Sequence, residues 1–76
     1  MKEKILEILS DIRPDVDFTA EEKLVSEKVL ASFDIISIIS ELGDEFDIEI
    51  GPKYLIAENF DSLESITALV RKLTDE

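Results

Sequence analysis

The chain has 76 residues, the size of one compact domain with a single hydrophobic core. It contains no cysteine and no histidine, which excludes disulfides, thiolate nucleophiles, imidazole bases and the usual zinc ligands. A net charge of −11 repels phosphate backbones and anionic lipid headgroups, so nucleic acid is a poor partner.

The first predicted element is an amphipathic helix from Lys2 to Arg13, stopped by Pro14. Its apolar residues recur at helical spacing; they are Ile5, Leu6, Ile8, Leu9 and Ile12. The acidic residues in this segment make it unlike a secretory signal, and no apolar stretch is long enough to span a membrane. We therefore expect a cytoplasmic protein that does not insert into membranes.

A long first connection is predicted from Pro14 to Ala31. Its apolar residues show no sustained period and are expected to pin a loop to the core; they are Val16, Phe18, Leu24, Val25, Val29 and Leu30. One turn of helix is expected after Thr19. A loop of this length in so small a domain often has a functional reason.

The central predicted helix begins at Ser32, a good N-cap residue, and runs to Phe46. Its apolar residues follow a 3.6-residue period and not alternation; they are Phe33, Ile35, Ile36, Ile38, Ile39, Leu42 and Phe46. Between Lys28 and Lys53 there is no basic residue, while six acidic residues occur; they are Asp34, Glu41, Asp44, Glu45, Asp47 and Glu49. This acidic run is either a solvated face or a docking surface for basic partners.

Two further helices are predicted after the Gly-Pro break at residues 51–52. A short one covers Lys53 to Glu58, and a last one is capped by Asp61, with Glu64 completing a capping box. The buried face of the last helix consists of Leu63, Ile66, Leu69, Val70 and Leu73. The predicted fold is an all-α, small four-helix bundle with three longer helices, one short helix and a long first loop.

Catalysis is not expected from these residues. An enzyme needs a nucleophile with a base, or paired carboxylates in a pocket, and this chain offers only acidic side chains in solvated-looking positions. The acidic stretches also lack the spacing of a calcium-binding EF-hand loop. Ser32 differs because a phosphodiester there would lie against free helix amides, although a helix cap alone explains this serine equally well.

The chain resembles acyl carrier proteins most clearly over residues 31–50, ASFDIISIISELGDEFDIEI. In that family Asp-Ser-Leu precedes an apolar and acidic helix that ends in Glu-x-x-Phe and Ile-x-Ile. The resemblance covers nearly the whole chain and implies that Ser32 carries covalent 4′-phosphopantetheine derived from coenzyme A. It also implies a partner-facing set of side chains on the central helix, namely Phe33, Asp34, Ile36, Ser37, Glu41 and Asp44.

The function implied by this resemblance is that of a non-catalytic, monomeric carrier formed by residues 1–76 as a single carrier domain. Such a protein holds acyl, aminoacyl or D-alanyl groups as thioesters. Its implied partners are a phosphopantetheinyl transferase, an acyl- or aminoacyl-loading enzyme and downstream synthase or transferase enzymes. Fatty acid biosynthesis, D-alanylation of teichoic acids and a specialised biosynthetic route all remain open as pathways.

One departure from the family pattern is Ala31, which stands where the family has aspartate before the modified serine. The alternative function is therefore an unmodified, carrier-like acidic protein that has no arm and binds basic partners by shape and charge. A second Asp-Ser-Leu tripeptide, at residues 61–63, matches the motif better in isolation. It lacks a long preceding loop and begins a helix that carries Arg71 and Lys72, so helix capping explains it sufficiently.

Overall fold

The computed structural model describes residues 2–75, which form helices and connecting turns without any strand. The helices are α1 (Lys2–Ile12), α2 (Ser32–Phe46), α3 (Ala57–Phe60) and α4 (Leu63–Asp75), with a 3₁₀ turn at Pro52–Tyr54. Helix α1 packs against α2 and α4, and α3 packs against α4. The predicted all-α bundle with three longer helices and one short helix is confirmed. Across the described range, no helix combines the length and apolarity that crossing a bilayer requires.

The core takes side chains from every helix and from the long loop. Its buried apolar members are Ile5, Ile8, Leu9, Phe18, Leu24, Leu30, Ile38, Leu42, Ile50, Phe60, Leu63, Ile66, Leu69 and Val70. Phe18, Leu24 and Leu30 are at most 3% exposed, which confirms that apolar residues pin the loop to the bundle. Each such side chain removed from water contributes about 1.5–3 kcal/mol before the cost of ordering the chain. The long loop is therefore part of the folded core.

The predicted turn after Thr19 lies earlier in the chain than expected. Its first residue is Asp17, whose side-chain oxygen accepts the Thr19 N–H at 3.1 Å and whose backbone carbonyl accepts the Glu21 N–H at 3.1 Å. Asp17 favours this arrangement because an aspartate side chain readily bonds the backbone N–H two residues on. The connection between α1 and α2 contains turns but no helix.

Helix α2 starts at Ser32 as predicted, but Ser32 is not its N-cap. The extended cap residue is Ala31, with φ −87° and ψ 166°, so Ser32 is the first residue with helical backbone. Alanine has no side-chain acceptor. The Asp34 carboxylate instead accepts the Ala31 N–H at 3.0 Å, which supplies one half of a capping box. Because Ser32 is the first helical residue, its hydroxyl is not the N-cap of this helix.

The short third helix was predicted too early in the chain. Pro52–Tyr54 forms a 3₁₀ turn, and α3 begins only at Ala57. Pro52 fixes its own φ at the start of the turn, and the Asn59 side-chain amide donates to the Tyr54 carbonyl at 2.9 Å. This contact satisfies a carbonyl in the break between the two helical pieces, where the sequence predicts one helix from Lys53 to Glu58.

The cap of α4 also differs from the prediction. Ser62, not Asp61, accepts the Ser65 N–H at 3.1 Å, and Ser65 Oγ accepts the Ser62 N–H at 3.1 Å. These reciprocal bonds form a capping box from two serines. Asp61 is occupied elsewhere, with the long loop. Leu73 is only half-buried, whereas the four preceding predicted core positions of α4 are buried.

Candidate functional site

Ser32 lies on the exposed first turn of α2, where the long loop ends. The first N–H groups of an α-helix have no acceptor within the helix, and no side-chain hydrogen bond from Ala31 caps this start. The helix continues from here for 15 residues, which places the positive end of its dipole beside the serine hydroxyl. An exposed hydroxyl and neighbouring amides of this kind can accommodate a phosphodiester.

Asp34 belongs to the predicted partner-facing set, but its carboxylate is turned back into the protein. Its Oδ2 atom lies 2.6 Å from Arg13 Nη1, and its side chain is only 15% exposed. The same oxygen accepts the Ala31 N–H. Asp34 therefore holds the start of α2 together, which distinguishes it from the other predicted partner residues.

Phe33 and Ile36 project from the same helix into solvent. The two residues are 77% and 65% exposed, so neither belongs to the core. Large apolar side chains at such exposure are suited to contact with another molecule. Together with Ser37, which is half-buried, they line an open groove beside the end of α1.

The acidic members of the partner-facing set, Glu41 and Asp44, are both exposed. Neither takes part in an ion pair between described residues, whereas the neighbouring Glu45 lies 3.9 Å from Lys4. Uncompensated carboxylates project their field into solvent and attract a basic surface. The structure thus brings Ser32, two apolar side chains and two free acids together on one helix.

An apolar cleft of about 280 Å³ opens beside Ser32, between α2 and the segment around α3. Its lining consists of Ser32, Val25, Ile35, Ile36, Ile39, Leu55, Ile56, Ala57 and Phe60. Sequence reasoning missed Leu55 and Ile56, which are 49% and 51% exposed at its rim. The sequence offered no signal for this placement, because the exposure of Leu55 and Ile56 is a property of the folded chain.

The second candidate serine, Ser62, is committed to local structure. It is half-buried, and its hydroxyl and N–H both contact Ser65 in the capping box of α4. The preceding Asp61 is hydrogen-bonded to the long loop, and the N–H and hydroxyl of Ser26 hold the pKa of Asp61 below its ordinary value. Residues 61–63 are thereby accounted for as a helix start and a loop attachment.

Comparison with known proteins gives two relatives. No family model matches the chain. The chain is 33% identical to the D-alanyl carrier protein of Lactococcus lactis subsp. cremoris strain MG1363 over 78 aligned positions, covering 100% of this chain and 99% of the relative. The D-alanyl carrier protein of strain SK11 gives the same identity and coverage. The alignment therefore spans the Ser32 helix start, the segments that line the cleft and the long loop.

Proposed function

This chain belongs to the acyl carrier protein family and has a carrier role, and from that membership we propose that Ser32 bears a 4′-phosphopantetheine arm on which cargo is held and delivered to partner enzymes. The observation that carries this proposal is the exposed Ser32 hydroxyl at the start of α2, beside an apolar cleft. The chain acts as a single non-catalytic carrier domain over residues 1–76.

The residues around Ser32 fit the proposed group. The hydroxyl is exposed to a modifying enzyme, and the first amides of α2 offer donors to a phosphodiester. The adjoining cleft offers an apolar wall. When attached, the arm supplies a terminal thiol that forms a thioester with the cargo. The chain itself provides the anchor, the donors and the surface by which partners recognise it.

Partner recognition is assigned to the exposed side chains of α2. Glu41 and Asp44 steer basic surfaces on the transferase, the loading enzyme and the downstream enzymes, which gives fast encounters that salt weakens. Phe33 and Ile36 supply apolar contact at short range. Because the cargo stays tethered to one protein and does not diffuse freely, successive enzymes meet it at high effective concentration.

D-alanine is the cargo that the relatives favour, since both are named D-alanyl carrier proteins. A longer acyl group is a second candidate, because the cleft of about 280 Å³ beside Ser32 is lined almost entirely by apolar side chains. Loading assays with a D-alanyl donor and with medium-chain acyl donors distinguish the two cargoes. The main support for the alternative of an arm-less interaction protein is Ala31.

The test is intact mass after incubation with coenzyme A and a broad-specificity phosphopantetheinyl transferase. The parent chain is compared with Ser32→Ala, Ser62→Ala and Ala31→Asp variants. One added arm that disappears only in Ser32→Ala supports the carrier function and its site. Addition to Ala31→Asp but not to the parent chain would show that Ala31 prevents modification by that transferase, and would leave a specialised transferase or the arm-less protein as the explanations to separate next.

A further inference from the structure

Arg13 connects three segments that converge on Ser32. It follows the last residue of α1, and its own N–H donates to the Leu9 carbonyl at 2.9 Å. Its Nη1 atom contacts Asp34 Oδ2 at 2.6 Å and donates to the Val29 carbonyl at 3.3 Å. One guanidinium therefore joins the end of α1, the end of the long loop and the first turn of α2.

The guanidinium is itself held in a fixed orientation. Its Nε and Nη2 atoms donate to the two carboxylate oxygens of Asp15 at 3.0 and 2.9 Å. This two-point contact leaves Nη1 directed at Asp34 and Val29. The planar guanidinium of arginine is well suited to it, because two of its N–H groups can donate to one carboxylate at the same time. The carboxylates raise the pKa of Arg13 above its ordinary value, so it remains charged wherever the protein is folded.

The need for this contact follows from Ala31. An α-helix normally begins with a side-chain acceptor at the N-cap, and alanine provides none. Asp34 supplies the other half of a capping box by accepting the Ala31 N–H, and Arg13 holds the carboxylate in the position where it does so. Ser32 lies between Ala31 and Asp34 and is therefore fixed from both sides.

We propose that Arg13 is a positioning residue for the modification of Ser32: through Asp34 and Val29 it fixes the first turn of α2 and so orients the serine hydroxyl for the phosphopantetheinyl transferase. This inference rests on the proposed function. Arg13 contacts neither the hydroxyl nor the arm; its effect passes through the backbone on either side of Ser32.

The experiment compares Arg13→Gln with Lys4→Gln, a matched control on the same helix. Both changes remove one positive charge, but Lys4 makes only exposed contacts at 3.9 Å. Two properties are measured for each protein: amide hydrogen exchange at residues 31–34 by NMR, and the kcat and KM of a phosphopantetheinyl transferase acting on Ser32. Exchange at core amides such as Ile38 and Ile66 verifies that every variant is folded.

For Arg13→Gln we expect faster exchange of the Ala31 amide and a kcat lowered by about tenfold at nearly unchanged KM, because a misplaced nucleophile slows the reaction more than it weakens binding. Lys4→Gln should retain the parent values. Arg13→Lys, which keeps the charge without the fork, should fall between them. Adding Ala31→Asp to Arg13→Gln should recover most of the lost rate by restoring a cap.

Equal exchange at residues 31–34 in the parent chain and Arg13→Gln overturns the inference, and so does an equal loss of rate in Lys4→Gln. A KM increase with unchanged kcat also overturns it, since that result assigns Arg13 to binding. If the parent chain accepts no arm at all, the proposed function fails, while the exchange data still decide whether Arg13 fixes the start of α2.

Discussion

The carboxylate of Asp61 accepts hydrogen bonds from both the backbone N–H and the hydroxyl of Ser26, at 2.8 and 2.7 Å, across 35 residues of sequence. It also accepts the Val25 N–H at 2.9 Å, and the Asp61 carbonyl accepts the Leu24 N–H at 2.7 Å. The middle of the long loop is thus attached to the start of α4, as its end is attached to α1 by Arg13. Asp61 and Arg13 thus fix the middle and the end of the long loop, which explains how so long a connection places Ser32 in a defined position.

The first prediction concerns this loop attachment. Asp61→Ala removes acceptors for three donors, and the Val25 and Ser26 amides should then exchange faster while the helices stay protected. The urea midpoint at neutral pH should fall. Glu58→Gln serves as control because Glu58 is exposed and lies on the neighbouring short helix. Unchanged exchange at Val25 and Ser26 would show that the loop is held by its apolar residues alone.

The second prediction concerns pH. Hydrogen bonds from Ser26 lower the pKa of Asp61 from its ordinary value of 3.8, so the folded state favours the ionised carboxyl. This contribution to stability is complete above 3.8 and is lost as pH falls through the lower, folded pKa. Urea midpoints of the parent chain and Asp61→Asn, measured over a range of pH, should therefore differ most at neutral pH and converge in acid. A gap that is independent of pH would contradict the assignment.

Periodicity predicted the three longer helices, but it did not predict how they begin. The residues of α2 and α4 that face the core are apolar at helical spacing, and this spacing is visible in the sequence. The caps depend on contacts that cross the chain: Asp61 looked like a local N-cap until the structure showed its carboxylate bonded to the loop. Sequence alone cannot distinguish these uses of an aspartate, because either one satisfies its oxygens.

The third prediction tests the serine cap of α4. Ser65→Ala removes one half of the capping box and should lower the free energy of unfolding by about 1 kcal/mol. Ser40→Ala, an exposed substitution on α2, should change it by less than about 0.5 kcal/mol. Urea unfolding measures both. Equal effects of the two substitutions would contradict the role of Ser65 in capping.

The fourth prediction concerns Ala31. Ala31→Asp places an acceptor at the N-cap of α2 and should raise the free energy of unfolding by about 1 kcal/mol. Ala31→Asn provides a similar cap without charge, so comparison of the two in urea separates capping from electrostatics. If only the aspartate variant gains in transferase rate, the transferase reads the carboxylate itself; if both gain, the order of the helix start is what matters. No gain in stability in either variant would show that a side-chain acceptor at residue 31 does not strengthen this helix start.

The candidate site, like the helix caps, could be predicted from the sequence only where it depends on local properties. The position of Ser32 at a helix start and the acidic character of α2 are local properties, and the sequence predicted them. Arg13, Leu55 and Ile56 acquire their places only when distant segments pack together. Asp34 lies in a helix that the sequence predicted, but its carboxylate faces inward because it forms an ion pair with Arg13.

The last prediction concerns salt. A net charge of −11 makes the folded chain repel itself, and exposed acids on α2 such as Glu41 and Asp44 have no cation paired with them in the described range. Salt at about 0.1 M screens charges beyond about 10 Å and should raise the melting temperature by about 5 °C. It also weakens the exposed Lys2–Glu64 ion pair, but such pairs contribute little, so relief of repulsion prevails. The double variant Glu41→Gln/Asp44→Asn, which is two charges less negative, should have a higher melting temperature at low salt and a smaller increase on adding salt. A melting temperature of the parent chain that does not change with salt would show that its charges are too well separated to destabilise the fold.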